Sequence, residues 1–182
     1  MKIKSKIMDE IAVTRAMARI THEIIEKNNG AEDIILLGVK RRGVPLSLML
    51  AENIKKFEQV EAPVGYLDIT RHRDDLTEAD KQSLAGECHF PCDITDKTVI
   101  IVDDVLYTGR TARAAIESVF AFGRPKALQL AVLVDRGHRE LPIRADYVCK
   151  NLPTSHTEKV LVKVPEFDSE TGVFIAEKNI EN

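Results

Sequence analysis

Several kinds of residue are scarce in this chain of 182 residues, and the low number of cysteines and the weak net charge each argue against a class of protein. Trp is absent and only 5% of the residues are aromatic. Three cysteines are an odd number, which argues against a disulfide framework and predicts a reduced, cytoplasmic protein. The net charge of -3 excludes binding of nucleic acid through overall charge, although a local basic patch is compatible with it.

Long apolar runs are also missing. The N-terminal stretch MKIKSKIMDE contains no continuous apolar segment, so we expect no signal peptide. The longest apolar run, ALQLAVLV at 127–134, is too short to cross a bilayer and suits a buried strand. We therefore expect one globular domain over residues 1–182, with no membrane segment.

Helices and strands alternate along the predicted chain. Residues 9–28 place apolar side chains at helical spacing, with Asp9 as a cap and Asn29-Gly30 as a stop. Residues 34–39, IILLGV, lack polar side chains and predict a strand covered on both faces. Further strands are predicted at 64–69, 98–103, 127–134, 146–149 and 159–164, and further helices at 44–55 and 111–122. This alternation predicts an α/β fold with a doubly wound parallel sheet.

One segment fits neither element type. Residues 70–87, TRHRDDLTEADKQSLAGE, are polar and charged and almost devoid of apolar side chains. The segment is too long for an ordinary connection, so we expect a flexible hood loop with a functional role.

The run VIIVDDVLYTGRT at 99–111 carries the strongest chemical signal. An apolar strand leads into Asp103 and Asp104, and the turn 108–111 then opens a helix. Ligands of open α/β sheets bind beyond the carboxyl ends of the strands, where the amides of a helix N-terminus attract phosphate. Adjacent acids accept hydrogen bonds from sugar hydroxyls or hold Mg²⁺. The run therefore predicts a site for a phosphorylated ribose, although paired acids at a strand end can also remain merely solvated.

Two other phosphate-binding motifs are excluded. A nucleotide P-loop requires G-x-x-x-x-G-K-[ST], and no Lys follows Gly109. The dinucleotide fingerprint G-x-G-x-x-G is also absent from the sequence.

The same run resembles the phosphoribosyl pyrophosphate (PRPP) signature of type I phosphoribosyltransferases. The segments HEIIEKN, GVKRRG, LDITRHRDDL, LVDRGHRELPIRADYVCKN and PTSHTEKV resemble the family of bacterial pyrimidine operon attenuation regulators. The likeness covers about residues 5–175. The chain departs from the family pattern at Ala18, where a hydroxyl is expected, and at Arg41, where Thr is common.

The resemblance implies the type I phosphoribosyltransferase fold and an enzyme that converts uracil and PRPP to UMP and pyrophosphate with Mg²⁺. Asp103 and Asp104 would accept hydrogen bonds from the ribose hydroxyls. These two acids and Arg136 would be the catalytic residues. The Lys40-Arg41 junction, where related enzymes often have a cis peptide, would face the pyrophosphate, and the Val160 backbone would contact the base. The implied PRPP and UMP site consists of Lys40, Arg41, Asp103, Asp104, Val105, Leu106, Tyr107, Thr108, Gly109, Arg110, Thr111, Arg136 and Val160.

The resemblance further implies a UMP-responsive regulator that binds the leader of pyrimidine operon mRNA. Its RNA-binding residues would be Arg15, Arg19, His22, Lys27, His138, Arg139, Arg144 and Lys150. The resemblance places them on one basic surface of a homodimer, which could assemble further into a hexamer.

Simpler interpretations stay open at this point. The basic residues of 9–28 are also typical of an ordinary solvated helix face, and Asp135, Arg136 and Arg139 could form a local ion network. The chain could be a housekeeping uracil or purine phosphoribosyltransferase with no RNA role, or a binding protein without turnover. A purine site generally offers an aromatic side chain for stacking, and the segment DRGHRELPIRAD contains none.

Overall fold

The computed structural model describes residues 2–69 and 87–177. The predicted hood loop at 70–87 lies outside the described residues except for Glu87. No helix in the described ranges is long and apolar enough to cross a membrane.

A parallel sheet of five strands forms the centre of the molecule. Its strands are β2 (Ile34–Val39), β3 (Val64–Leu67), β4 (Thr98–Leu106), β5 (Ala127–Asp135) and β6 (Tyr147–Asn151). Their spatial order is β3-β2-β4-β5-β6, so the winding of the chain changes direction between β2 and β4. Such a switch point opens a crevice at the carboxyl ends of the two strands, which is where open α/β sheets bind ligands.

Three helices cover this sheet within the described residues: α1 (Glu10–Asn28), α2 (Gly43–Glu58) and α3 (Arg110–Phe122). The start of α1 is capped as predicted, because the Asp9 carboxylate accepts a hydrogen bond from the Ala12 amide at 2.8 Å. The helix ends at Asn29, whose φ of 56° is left-handed.

Both faces of the sheet are buried, which confirms the predicted doubly wound arrangement. Ile34 and Leu36 of β2 pack in the same cluster as Leu50 of α2, whereas Ile35 and Leu37 belong to the cluster on the α3 side. All six residues of β2 are buried. Burial of one such aliphatic side chain stabilises the fold by about 1.5–3 kcal/mol, so a polar substitution on either face of β2 would be costly.

A second, antiparallel sheet, called here the hood sheet, consists of β1 (Lys2–Met8), β8 (Gly172–Glu177) and β7 (Glu158–Lys163) in that spatial order. The sequence predicts a strand at 159–164 but does not predict β1 or β8. It also does not show that this strand belongs to a second sheet and not to the parallel one. Lys2 pairs with Glu177, and Val160 pairs with Ile175. Only long-range pairing reveals this sheet, because β1 is mostly polar and exposed.

Candidate functional site

The two acids predicted to bind ribose lie within β4 and not beyond its end. β4 continues to Leu106 because β5 pairs with it that far, with Leu106 opposite Asp135. The predicted end of this strand at residue 103 is therefore wrong. Asp103 is buried and Asp104 is partly buried, and the Asp104 amide donates a hydrogen bond to Asp103 Oδ1 at 2.9 Å.

Burial governs the ionisation of both acids. Desolvation raises the pKa of Asp103 well above its usual range, and the nearby Asp104 carboxylate raises this pKa further. Burial also raises the pKa of Asp104, although a hydrogen bond with Asp103 and the positive charge of Arg42 act in the opposite direction. Desolvated carboxylates near the carboxyl end of a strand in such a sheet are typical of a site that binds a polar ligand.

We expect the substitution Asp103→Asn to stabilise the fold more at pH 8 than at pH 5. The pKa of Asp103 is higher in the folded than in the unfolded state, so the folded state binds this proton more tightly. The free energy of unfolding of the natural chain therefore falls as pH rises through the folded pKa. Asn cannot ionise, yet its Oδ1 still accepts the Asp104 amide. Urea unfolding at the two pH values measures the difference.

The control for this experiment is Asp93→Asn. Hydrogen bonds from Thr95 lower the pKa of exposed Asp93, so its contribution to stability is present above the unfolded pKa and is lost in acid. Asp93→Asn should therefore destabilise the chain at both pH values. A gain for Asp103→Asn that is equal at pH 5 and pH 8 would contradict the interpretation.

The turn after β4 has the features of a phosphate site. Gly109 has a φ of 95° and precedes α3, whose first turn contains no acidic residue and has no side-chain cap. The turn is fastened to the chain after β5, because the Thr108 carbonyl accepts hydrogen bonds from the Glu140 amide at 2.9 Å and the Leu141 amide at 3.1 Å. The Arg110 amide donates to the Thr108 hydroxyl at 3.4 Å. The N-terminus of a helix favours negative charge, so the start of α3 suits a phosphate, as the sequence predicts.

The segment after β2 reaches the same crevice. Its Lys40-Arg41 peptide bond is cis, as the family resemblance implies. Lys40 Nζ lies 4.2 Å from the centroid of the Tyr66 ring and 3.6 Å from Asp68 Oδ2. Gly43 at the start of α2 lies so close to β4 that a Cβ there would come within 2.3 Å of the Val102 carbonyl oxygen. This close approach brings the 40–43 segment next to the two acids.

Arg136 is buried and has several partners. Its Nε donates to Thr154 Oγ1 at 3.0 Å and its Nη2 donates to the Glu158 carbonyl at 2.9 Å. The guanidinium carbon lies 4.0 Å from the centroid of the Tyr107 ring. Arg136 therefore connects the end of β5, the phosphate turn and the chain leading into β7. These contacts add a positioning role to the catalytic role predicted for it, which stays a prediction.

Val160, predicted to contact the base through its backbone, lies on β7 and its side chain is buried. β7 pairs with β8 on one side and is the edge strand of the hood sheet. An edge strand offers unpaired amides and carbonyls, which is the geometry that in-plane recognition of a planar base requires.

Two of the predicted RNA residues of α1, Arg19 and Lys27, contact β6 or the residue before it. Arg19 Nη2 donates to the carbonyls of Val148 at 2.9 Å and Cys149 at 2.8 Å, and Arg19 also pairs with Glu23. Lys27 Nζ is 2.6 Å from Asp146 Oδ1. Arg19 and Lys27 are therefore each paired with an acidic residue.

The other members of this set differ in their surroundings. Arg15, on α1, and Arg144 and Lys150 are exposed. His22 stacks on Phe57 of α2 with ring centroids 4.2 Å apart. The structure thus joins Arg19 of α1 directly to β6, the strand that carries Lys150.

His138 and Arg139 follow β5, and Arg139 contacts the turn after β4. His138 bonds to the Thr154 carbonyl, and its ring centroid is 4.0 Å from that of His156. Arg139 donates to the Tyr107 carbonyl at 2.7 Å and pairs with Asp135, so its side chain fastens the phosphate turn. The RNA role of this pair stays a prediction, as does that of the residues on α1.

Sequence reasoning missed two residues of the crevice. Arg42, directly after the cis peptide, pairs with Asp168 of the β7–β8 connection. No local pattern signals this pair, because its members are far apart in the sequence. The adjacency of Arg42 to Lys40 and Arg41 is the one feature that could have marked it.

Comparison with known proteins identifies the family to which this chain belongs. The family model of the phosphoribosyl transferase domain matches residues 5–168. The bifunctional protein PyrR of Clostridium novyi is 59% identical over 178 residues, which are 98% of this chain and 100% of that protein. The chain belongs to the PyrR family. The bifunctional protein PyrR of Acetivibrio thermocellus is 55% identical over 174 residues, 96% of this chain and 95% of that protein.

Solved structures agree with the PyrR assignment at the level of fold. The hypoxanthine phosphoribosyltransferase of Trypanosoma cruzi in complex with IMP has a TM-score of 0.75 at 16% identity, covering 98% of this chain and 92% of that one. A hypoxanthine-guanine phosphoribosyltransferase of Bacillus anthracis has a TM-score of 0.67 at 18% identity, covering 96% and 99%. The predicted family and the type I phosphoribosyltransferase fold of this PyrR-family chain are thereby confirmed.

Proposed function

We propose that one crevice of this chain performs phosphoribosyl transfer to uracil and also senses UMP for control of RNA binding. Membership of the bifunctional PyrR family supports both activities. One observation carries the proposal. Two desolvated acids and a glycine turn with a positive φ follow one another before α3, at the carboxyl ends of the parallel strands.

Each part of PRPP has a matching group in the proposed complex. The 5-phosphate binds the turn 108–111, and the ribose hydroxyls donate to Asp103 and Asp104. The pyrophosphate lies against Lys40 and Arg41, whose charges oppose its own. The remaining predicted contacts, from Val105 to Tyr107 and from Arg110, line the same turn. Arg136 holds this turn and the approach to β7 in register.

Positioning and electrostatics supply the catalysis in this proposal. The bond between the ribose carbon and the pyrophosphate oxygen breaks, and its electron pair leaves with the pyrophosphate. A ring nitrogen of uracil forms the new bond to the same carbon and loses its proton. Basic residues stabilise the charge on the leaving group, while buried surroundings keep water from the electron-poor ribose.

Mg²⁺ accompanies PRPP in this scheme. The described residues contain no group of three or more His, Cys, Asp or Glu side chains that could hold a metal ion. The oxygen donors of Asp103 and Asp104 nevertheless suit Mg²⁺, which keeps several non-protein ligands and is held in such sites by one or two carboxylates together with phosphates. When bound, the ion would neutralise charge on the departing pyrophosphate.

The choice of base is tested with uracil, hypoxanthine, guanine and adenine, each supplied with PRPP and Mg²⁺. We expect UMP from uracil and no nucleotide from the purines. Purine nucleotide without UMP would favour the housekeeping alternative with a purine substrate. No product from any base would favour a binding protein without turnover.

The regulatory function is tested by titrating pyrimidine leader RNA with and without UMP at a fixed salt concentration. UMP in the crevice should tighten RNA binding, and coupling must then be reciprocal, so that RNA tightens UMP binding by the same factor. Equal RNA affinity in both arms would leave a uracil phosphoribosyltransferase without a nucleotide-controlled RNA role. We propose that the RNA surface forms across a homodimer, which light scattering during the titration would detect.

Replacement of Arg15 by Gln should weaken RNA binding uniformly among leader sequences. A contact between Arg15 and a phosphate releases counterions, so its loss should reduce the slope of log affinity against log salt by about 0.7–0.9. Filter binding across a salt series measures this slope. Arg15 suits the test because it is exposed, whereas Arg19 also joins α1 to β6.

The matched control is Lys56→Gln, which removes an exposed positive charge from α2. Its salt slope should stay at the natural value. An equal reduction of the slope in both variants would mean that net charge, and not the α1 surface, determines RNA affinity.

A further inference from the structure

Arg42 joins two parts of the molecule that hold different substrates in the proposed function. It follows the cis peptide of the 40–43 segment and is the N-cap residue of α2. Its Nη2 donates to both carboxylate oxygens of Asp168, at 3.3 and 3.1 Å. Asp168 belongs to the connection between β7 and β8, so this ion pair spans from the predicted pyrophosphate subsite to the hood sheet.

The Asp168 carboxylate is itself held firmly. Its Oδ2 accepts a hydrogen bond from the Val164 amide at 3.1 Å, and the Asp168 amide donates to the Val164 carbonyl at 2.9 Å. The chain directly before this turn is β7, which carries Val160. A displacement of Arg42 is therefore transmitted to the strand whose backbone is proposed to contact the base.

Arg42 also has an unused donor. Its Nε is buried and has no hydrogen-bond partner among the described residues. A buried donor without a partner costs about 1–3 kcal/mol, so the ion pair with Asp168 must hold the guanidinium in place against this cost. The guanidinium is near enough to Asp104 for its charge to favour the ionised carboxylate.

We propose that Arg42 is a positioning residue that couples the PRPP and base subsites, because its Nη2 fixes the 40–43 segment to the hood sheet through Asp168. This inference rests on the proposed function. It explains why an arginine is used, because a planar guanidinium holds a carboxylate in a fixed geometry, which the flexible ammonium of a lysine does not.

Steady-state kinetics of Arg42→Gln, Arg42→Lys, Asp168→Asn and the Arg42→Gln/Asp168→Asn double variant test the coupling. Asp168→Asn should raise KM for PRPP and KM for uracil together, each about threefold to tenfold, with kcat changed less than about threefold. Arg42→Gln should raise KM for PRPP at least about tenfold, and Arg42→Lys should restore only part of this loss. The double variant should be no worse than Arg42→Gln, because both substitutions break one connection.

Glu170→Gln is the matched control. It removes the ion pair between Lys163 and Glu170, 2.8 Å apart, which lies within the hood sheet and its connection and does not reach the 40–43 segment. Both KM values should stay natural in this variant, while thermal unfolding reports any loss of stability in each variant.

Two results would overturn the inference. Unchanged KM values in Asp168→Asn, with only a loss of stability like that of Glu170→Gln, would make the ion pair a structural contact. If the rise in KM of the double variant equalled the product of the rises in the two single variants, Arg42 and Asp168 would act separately. Failure of the proposed function is distinguishable, since in that case the natural chain itself would form no UMP.

Discussion

Replacement of Asp104 by Asn is expected to lower kcat/KM for UMP formation about a hundredfold. The substitution removes the negative charge that would accept a ribose hydroxyl, and a hydrogen bond to a charged group contributes about 1.5–3 kcal/mol. Asp104 is the more accessible of the two acids, and the positive charge of Arg42 favours its ionised form. Initial rates at varied PRPP and saturating uracil measure the effect.

The pattern of the loss is as informative as its size. If the hydroxyl contact strengthens as charge develops on the ribose, kcat should fall with kcat/KM, whereas a contact equal in both states would change KM alone. Asp146→Asn is a suitable control, because this residue pairs with Lys27 beside β6, away from the crevice. An Asp104→Asn enzyme with natural kcat/KM would remove the acids from the proposed mechanism.

Replacement of Gly109 by Ala should weaken the binding of UMP and PRPP about a hundredfold and abolish the effect of UMP on RNA binding. At a φ of 95° an L side chain is strained by roughly 1–2 kcal/mol. The new Cβ would also lie 3.3 Å from Leu141 Cβ and press the turn away from the 139–143 segment. The loop would then relax and lose charge-assisted hydrogen bonds to phosphate. Calorimetric titration with UMP measures the change.

Gly30→Ala separates strain from loss of the phosphate site. Gly30 also has a positive φ, of 122°, but it follows α1 and a Cβ there would meet no atom within 4 Å. Both variants should unfold at lower temperature, and only Gly109→Ala should lose UMP. Natural UMP affinity in Gly109→Ala would contradict the assignment of residues 108–111 to the phosphate.

Local sequence patterns predicted the parts of the fold that depend on local rules. The apolar stripe of α1, the cap at Asp9 and the uniformly apolar β2 each indicate one structure at the level of a few residues. The acids and Gly109 were found for the same reason, since a strand, two carboxylates and a helix start follow one another within a single run.

Long-range contacts account for what sequence reasoning did not find. The end of β4 is set by β5, and the hood sheet is set by the pairing of β1 with β8. Arg136 illustrates the difference within one residue: only the family resemblance implied its place at the site, because the local sequence also allowed an ion network with Asp135 and Arg139. Its partners Thr154 and Glu158 come from a later part of the chain, and no pattern in the sequence predicts these contacts.

The order of synthesis gives the hood sheet a further significance. β1 is among the first segments to leave the ribosome, whereas β8, the strand between β1 and β7, is made after every other described element. The parallel sheet can collapse during translation, because its helices and strands follow one another closely along the chain. The edge strand proposed to read the base, in contrast, acquires its neighbour last. The strand proposed to contact the base therefore reaches its final pairing only after β8 has left the ribosome.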